Sequence, residues 1–142
     1  MVIEVLSSIM KKTFAGALIA LSVVALAGCT SGKTYSDVAA LKAAFLEAGG
    51  ECDPAEVLDS SKATVGEASI LKGMEGIACG GAVGIFQFPS GQARDYFIQQ
   101  IENTAAQSNA PVKLVVGSDW LIGGPKLDNE KFATALGGTA RY

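Results

Sequence analysis

The chain has 142 residues, three cysteines, no histidine, and 14 acidic against 11 basic side chains, a net charge of −3. The lack of histidine removes His-based nucleophilic triads, most zinc sites and the usual general base near neutral pH. The acidic balance argues against a nucleic-acid partner and against electrostatic attachment to anionic lipid.

The first segment reads as a leader. Lys11 and Lys12 are followed by an uncharged apolar run from Phe14 to Ala27, and then by Leu26-Ala27-Gly28-Cys29. Basic, apolar and small-residue segments in that order make a secretory signal. The apolar run is shorter than the roughly 20 residues a membrane-spanning helix needs. Glu4 is unfavourable in such a leader, and Met10-Lys11-Lys12 is the more usual start.

Leu26-Ala27-Gly28-Cys29 resembles the lipobox of bacterial lipoproteins. The resemblance covers the leader alone. It implies a diacylglyceryl group on the Cys29 thiol, cleavage before Cys29, and an extracytoplasmic protein held to the cell membrane by lipid. Two or more acyl chains, each buried methylene contributing about 0.8 kcal/mol, give a stable anchor. Residues 1–28 are then signal peptide and 29–35 the lipidated N-terminus with a short tether. Residues 36–142 form one domain. Removing Glu4, Lys11 and Lys12 leaves nine basic and thirteen acidic side chains, a net charge of −4.

With Cys29 lipidated, Cys52 and Cys79 remain. An even pair in an exported chain favours a disulfide. Free thiols or a metal pair are the alternatives, and the missing histidine weakens the second.

The tether Thr30–Tyr35 reaches at most roughly 20 Å. Ser36 is the expected N-cap of a helix carrying Val38, Leu41, Phe45 and Leu46 at helical spacing, ended by Gly49-Gly50. Asp53 to Ala63 is polar and ambiguous, with one helical turn over Pro54 to Leu58 among its options. Thr64–Lys72 and Ile77–Phe88 read as strands, with Gly73–Gly76 as the turn between them. After Pro89-Ser90-Gly91, a second helix keeps Ala93, Tyr96, Phe97, Gln100, Ile101, Thr104 and Ala105 on one stripe and ends near Gln107. Val112–Val116 and Trp120–Ile122 are strands joined by Gly117-Ser118-Asp119. Asp128 is expected to cap a third helix, with Leu127 and Phe132 as a hydrophobic staple and Gly137-Gly138 as its stop. The order α-β-β-α-β-β-α implies a two-layer α+β domain: a small antiparallel sheet of about four strands with helices on one face.

The second half is similar to small actinobacterial lipoproteins of unknown function. The similarity rests on Cys52 and Cys79, on Val116-Gly117-Ser118-Asp119-Trp120-Leu121-Ile122, and on Leu136-Gly137-Gly138. It implies an exported, disulfide-bonded α+β domain and no particular activity.

Candidate chemistry is sparse. Ser31-Gly32-Lys33-Thr34 has the end of a phosphate-binding loop, but Ala27 stands where the motif needs its first glycine. Glu51, Asp53, Glu56 and Asp59 are acidic at short spacing, though not at that of a calcium loop. Asp95 and Asp119 have no spacing that makes them a hydrolytic pair. Trp120, the only tryptophan, is either a binding anchor or the cap of a small core. No catalytic residue, metal or cofactor is expected. The expected function is a non-catalytic interaction module of the cell envelope with an envelope-protein partner. A small-ligand-binding lipoprotein and a phage-encoded superinfection-exclusion lipoprotein are the alternatives.

Overall fold

The computed structural model describes residues 32–59 and 69–142. The leader, Cys29, and the larger part of the strand expected over Thr64–Lys72 lie outside the described residues. Gly32–Tyr142 forms one compact unit.

Among the described residues, three helices and six strands follow in the order α1 (Val38–Glu47), β1 (Ala55–Leu58), β2 (Glu75–Cys79), β3 (Val83–Gln87), α2 (Gly91–Ser108), β4 (Lys113–Val116), β5 (Trp120–Gly124), α3 (Asn129–Leu136) and β6 (Thr139–Arg141). The strands make a single antiparallel sheet in the order β1-β2-β3-β5-β4-β6. The α+β class holds, but the sheet has six strands rather than about four.

The helices lie on both faces, not one, and the register explains why. Ile77, Ile85, Ile122 and Val115 are consecutive cross-strand partners and form one row. They bury against Leu41 and Phe45 of α1 and Phe132 and Leu136 of α3. The neighbouring row, Gly76, Phe86, Leu121 and Val116, points the other way because strand side chains alternate. Phe86, Phe88, Leu114 and Leu121 meet Ala93, Phe97 and Ile98 of α2 there. Two apolar sheet faces require cover on both sides.

Local chemistry sets the helix ends. Asp37, not Ser36, caps α1, its carboxylate accepting from the Ala40 N–H at 2.7 Å. The Ser90 hydroxyl caps α2 and Asp128 caps α3. Leu127 and Phe132 are both buried, as a staple requires. Gly137 ends α3 in the left-handed conformation at φ 72°, which glycine adopts without a Cβ clash.

Three expected elements differ. Within Pro54–Leu58, Ala55–Leu58 is the edge strand β1 rather than part of a helical turn. Ile77–Phe88 is a hairpin, turning at Gly80 and Gly81 with positive φ at both, rather than one strand. Residues 69–73 are turns, through which Leu71 and Met74 enter the α2-side core.

Cys52 and Cys79 are disulfide-bonded. The bond joins Cys52, three residues before β1, to the last residue of β2. The Asp53–Pro54 peptide between Cys52 and β1 is cis.

Candidate functional site

Two features stand out: a docked N-terminal segment at one end of the strands, and an apolar groove at the other.

The expected tether is largely part of the fold. Gly32 to Tyr35 runs across the strand ends at Gln87 and Trp120. The fully buried Trp120 donates its indole N–H to the Lys33 carbonyl at 2.8 Å. The Tyr35 hydroxyl donates to the Leu136 carbonyl at 3.0 Å, and Gln87 Nε2 donates to the Tyr35 carbonyl at 3.2 Å. The Tyr35 ring stands edge-on to the indole with centroids 5.5 Å apart. Gln87 Oε1 is buried with no hydrogen-bond partner among the described residues, a penalty that offsets much of the bond its amide makes. Trp120 and Tyr35 therefore hold the segment more than Gln87 does.

Trp120 lies in the core and presents no binding surface. Its pocket is built from both motif stretches quoted above: a methyl at Gly117 or Gly138 would run into the indole. Gly32 and Gly137 meet in the same way, since a methyl on Gly32 would strike the Gly137 carbonyl. The glycines let the segment, the indole and the end of α3 approach each other.

Burial raises the Tyr35 phenol above its ordinary value of 10.0. The undocked or unfolded form ionises first. The segment's contribution is thus fully present below pH 10 and lost as the pH rises through the raised folded value. We expect Trp120 fluorescence to report this alkaline transition and Tyr35→Phe to abolish it. Tyr142 is also raised, by its hydrogen bond to Glu130, so Tyr142→Phe serves as the control that leaves the transition in place.

The groove lies on the α2 side. The N-terminal half of α2 is fixed to the sheet through Phe97, whose ring centroid is 4.8 Å from that of Phe86 and 5.4 Å from that of Phe88. Toward the C-terminus the helix covers less: Thr104, Gln107 and Ser108 are exposed. The sheet next to it carries Gly76, Ala78, Gly84 and Gly123. Phe86 lies flat across Gly76 and Gly84, and Leu114 across Gly123, where Cβ atoms would crowd them. The result is a shallow apolar floor with a hollow of about 310 Å³ bounded by Leu58, Phe86, Ile101, Val112 and Leu114. A second hollow of about 240 Å³ follows α2 along Phe97, Ile101, Thr104 and Ala105 and shares Val112. The edge strand β1 flanks the first, with all four residues exposed and Val57 at 79%.

The other expected candidates do not converge on chemistry. Glu51, Asp53, Glu56 and Asp59 are strung along the exposed approach to β1 and along it. Among the described residues no group of three or more His, Cys, Asp or Glu is placed to hold a metal. Asp95 is paired with Arg94 at 2.6 Å, and Arg94 also donates to the Gly117 and Ser118 carbonyls, clamping the β4–β5 turn. Asp119 accepts from the Ser118 hydroxyl. The Lys33 ammonium reaches the Ala135 carbonyl at 3.5 Å, so the residues after Ser31 brace α3 instead of forming a phosphate loop. No described helix is long and apolar enough to cross a membrane.

Sequence reading missed the groove. Its floor glycines look like turn residues, and only the register puts Gly84 opposite Gly123.

Compared with protein-family models, curated proteins and solved structures, the chain finds no match in any of the three.

Proposed function

We propose that the chain is an extracytoplasmic lipoprotein held to the cell membrane through lipid on Cys29, and that its folded part is a non-catalytic interaction module. The partner is another protein of the envelope, which seats an apolar segment in the groove between α2 and the sheet. The observation that carries this reading is the groove itself. It is apolar, open to solvent and bordered by a fully exposed edge strand. A protein segment can both fill such a hollow and lie along the neighbouring strand. Among the described residues that line the two hollows there is no carboxylate, amine or thiol, and the Thr104 and Ser108 hydroxyls each donate to a backbone carbonyl of α2.

The groove volume also favours a second reading, a small apolar ligand, because ligand sites start near 300 Å³. An open groove covers less of a small molecule than such sites do, which ranks this reading second.

Purification from detergent-solubilised membranes tests both. One stoichiometric protein is expected with the wild-type chain. Ile101→Glu should weaken its capture by about tenfold or more, the scale of a central interface residue. Leu46→Glu, on α1 and 43% exposed, should leave capture unchanged. A co-purified small molecule lost in Ile101→Glu would favour the ligand reading, and equal capture by both variants would remove the groove from the mechanism. The anchor has its own test: Cys29→Ser should leave the detergent phase.

A further inference from the structure

The docked segment and the groove occupy opposite ends of the same strands. Gln87 ends β3 and Trp120 begins β5 at the docked end. Val83 begins β3 and Gly124 ends β5 beside the groove. Four residues of β5 separate the two ends, about 13 Å at the usual rise.

We infer that Gly32–Tyr35 is an orienting strap. It makes the pole formed by the strap, the last turn of α3 and Gly138 the membrane-facing surface, and so turns the groove away from the lipid. This rests on the reading of Cys29 as the lipidated residue. Cys29 precedes Gly32 by three residues, a reach of at most about 11 Å. A tether free up to Val38 would run nine residues and about 30 Å, enough to let the domain roll. The strap removes that freedom because its release breaks two hydrogen bonds. Trp120 is fully buried, and the Lys33 carbonyl is the acceptor for its N–H. Lifting the strap breaks the indole N–H bond to the Lys33 carbonyl and the Tyr35 hydroxyl bond to Leu136, and uncovers Trp120. The domain therefore meets the bilayer by one pole. The groove is presented to partners in the aqueous envelope space, and neither the bilayer nor the chain's own acyl groups can fill it.

Two measurements on the full lipidated protein in phosphatidylglycerol–phosphatidylethanolamine vesicles test this. Trypsin cleavage after Lys33 frees the domain from the vesicle. Docking should make that release slow. Trp120→Phe, and separately Tyr35→Phe in case the first variant folds poorly, should speed it by about tenfold, as expected for losing one buried hydrogen bond. Fluorophores on Ala135→Cys, beside the strap, and on Lys126→Cys, beside the groove, then report energy transfer to headgroup acceptors. Transfer from position 135 should exceed that from 126, and the strap variants should bring the two together. Equal transfer in the wild-type chain, or rapid release after Lys33 with vesicle binding intact, overturns the strap alone. Failure to bind vesicles overturns the lipid reading of Cys29 and the orientation with it.

Discussion

Replacing Cys52 and Cys79 together by alanine is expected to lower the stability of the domain by about 3 to 4 kcal/mol, the chain-entropy value for a loop of this size. The two residues are 27 apart in sequence. A domain of this length has about 5 to 15 kcal/mol in total, so the loss is a large fraction of it. The effect should be local in its first consequence. β1 is an edge strand whose four residues are all exposed, so its hydrogen bonds to β2 have little apolar burial behind them. The disulfide holds the start of that strand at the Cys79 end of β2, where Ala55 pairs with Cys79. Without it, β1 should fray before the rest of the sheet, and Leu58 should leave the rim of the groove. Alanine is the informative replacement because Cys79 is buried, and serine would add an unpaired hydroxyl. Urea unfolding of the two forms measures the difference, and hydrogen exchange locates it. A loss below about 1 kcal/mol, or β1 amides still as protected as those of β3, would show that the covalent link is not what holds this strand.

The elements that could be read in the sequence are those whose signals are local. The stripe from Ala93 to Ala105 gives α2, and Asp128 gives α3 its cap, because a side chain and a backbone N–H a few residues away suffice. β6 was not legible. Thr139-Ala140-Arg141 has neither alternation nor length, and it is a strand only because β4 offers a free edge. Asn129, buried, donates to the Arg141 carbonyl at 2.9 Å and secures it. The β2–β3 hairpin hid in a run of apolar and glycine residues. Gly80 and Gly81 form its turn while Gly84, three residues on, lies in a strand, and the same residue type gives no local sign of the difference.

The sidedness of the helices was illegible for a related reason. An antiparallel sheet with one wet face shows alternating apolar and polar residues, whereas Lys113–Val116 and Trp120–Gly124 are apolar at nearly every position. Continuous apolar strands are buried on both faces. That pattern in β4 and β5 points to helices on each side, and a count of helices alone does not. The candidate site depends still more on tertiary structure. The groove exists where α2 stops covering the sheet, and the strap exists because an indole N–H needs the Lys33 carbonyl. Both relations span many residues, 87 in the case of Trp120 and Lys33.

Trp120→Ala is the single substitution expected to do most damage, about 3 to 5 kcal/mol, as for other buried aromatic truncations. The indole is fully buried between the Tyr35 ring and the backbone at Gly117 and Gly138. Its removal opens a cavity and frees the strap in one step. Gly117→Ala approaches the same site from the other side. A methyl there would overlap the indole, and forced overpacking costs about 1 to 3 kcal/mol. The two changes should not add. In the Trp120→Ala background the space is empty, so Gly117→Ala should cost little or nothing. A coupling of at least about 1 kcal/mol is expected from the double-mutant cycle, measured by urea unfolding. Simple additivity would mean that Gly117 is required for the turn alone. Non-additivity would tie the glycine to the tryptophan, whose indole it leaves room for.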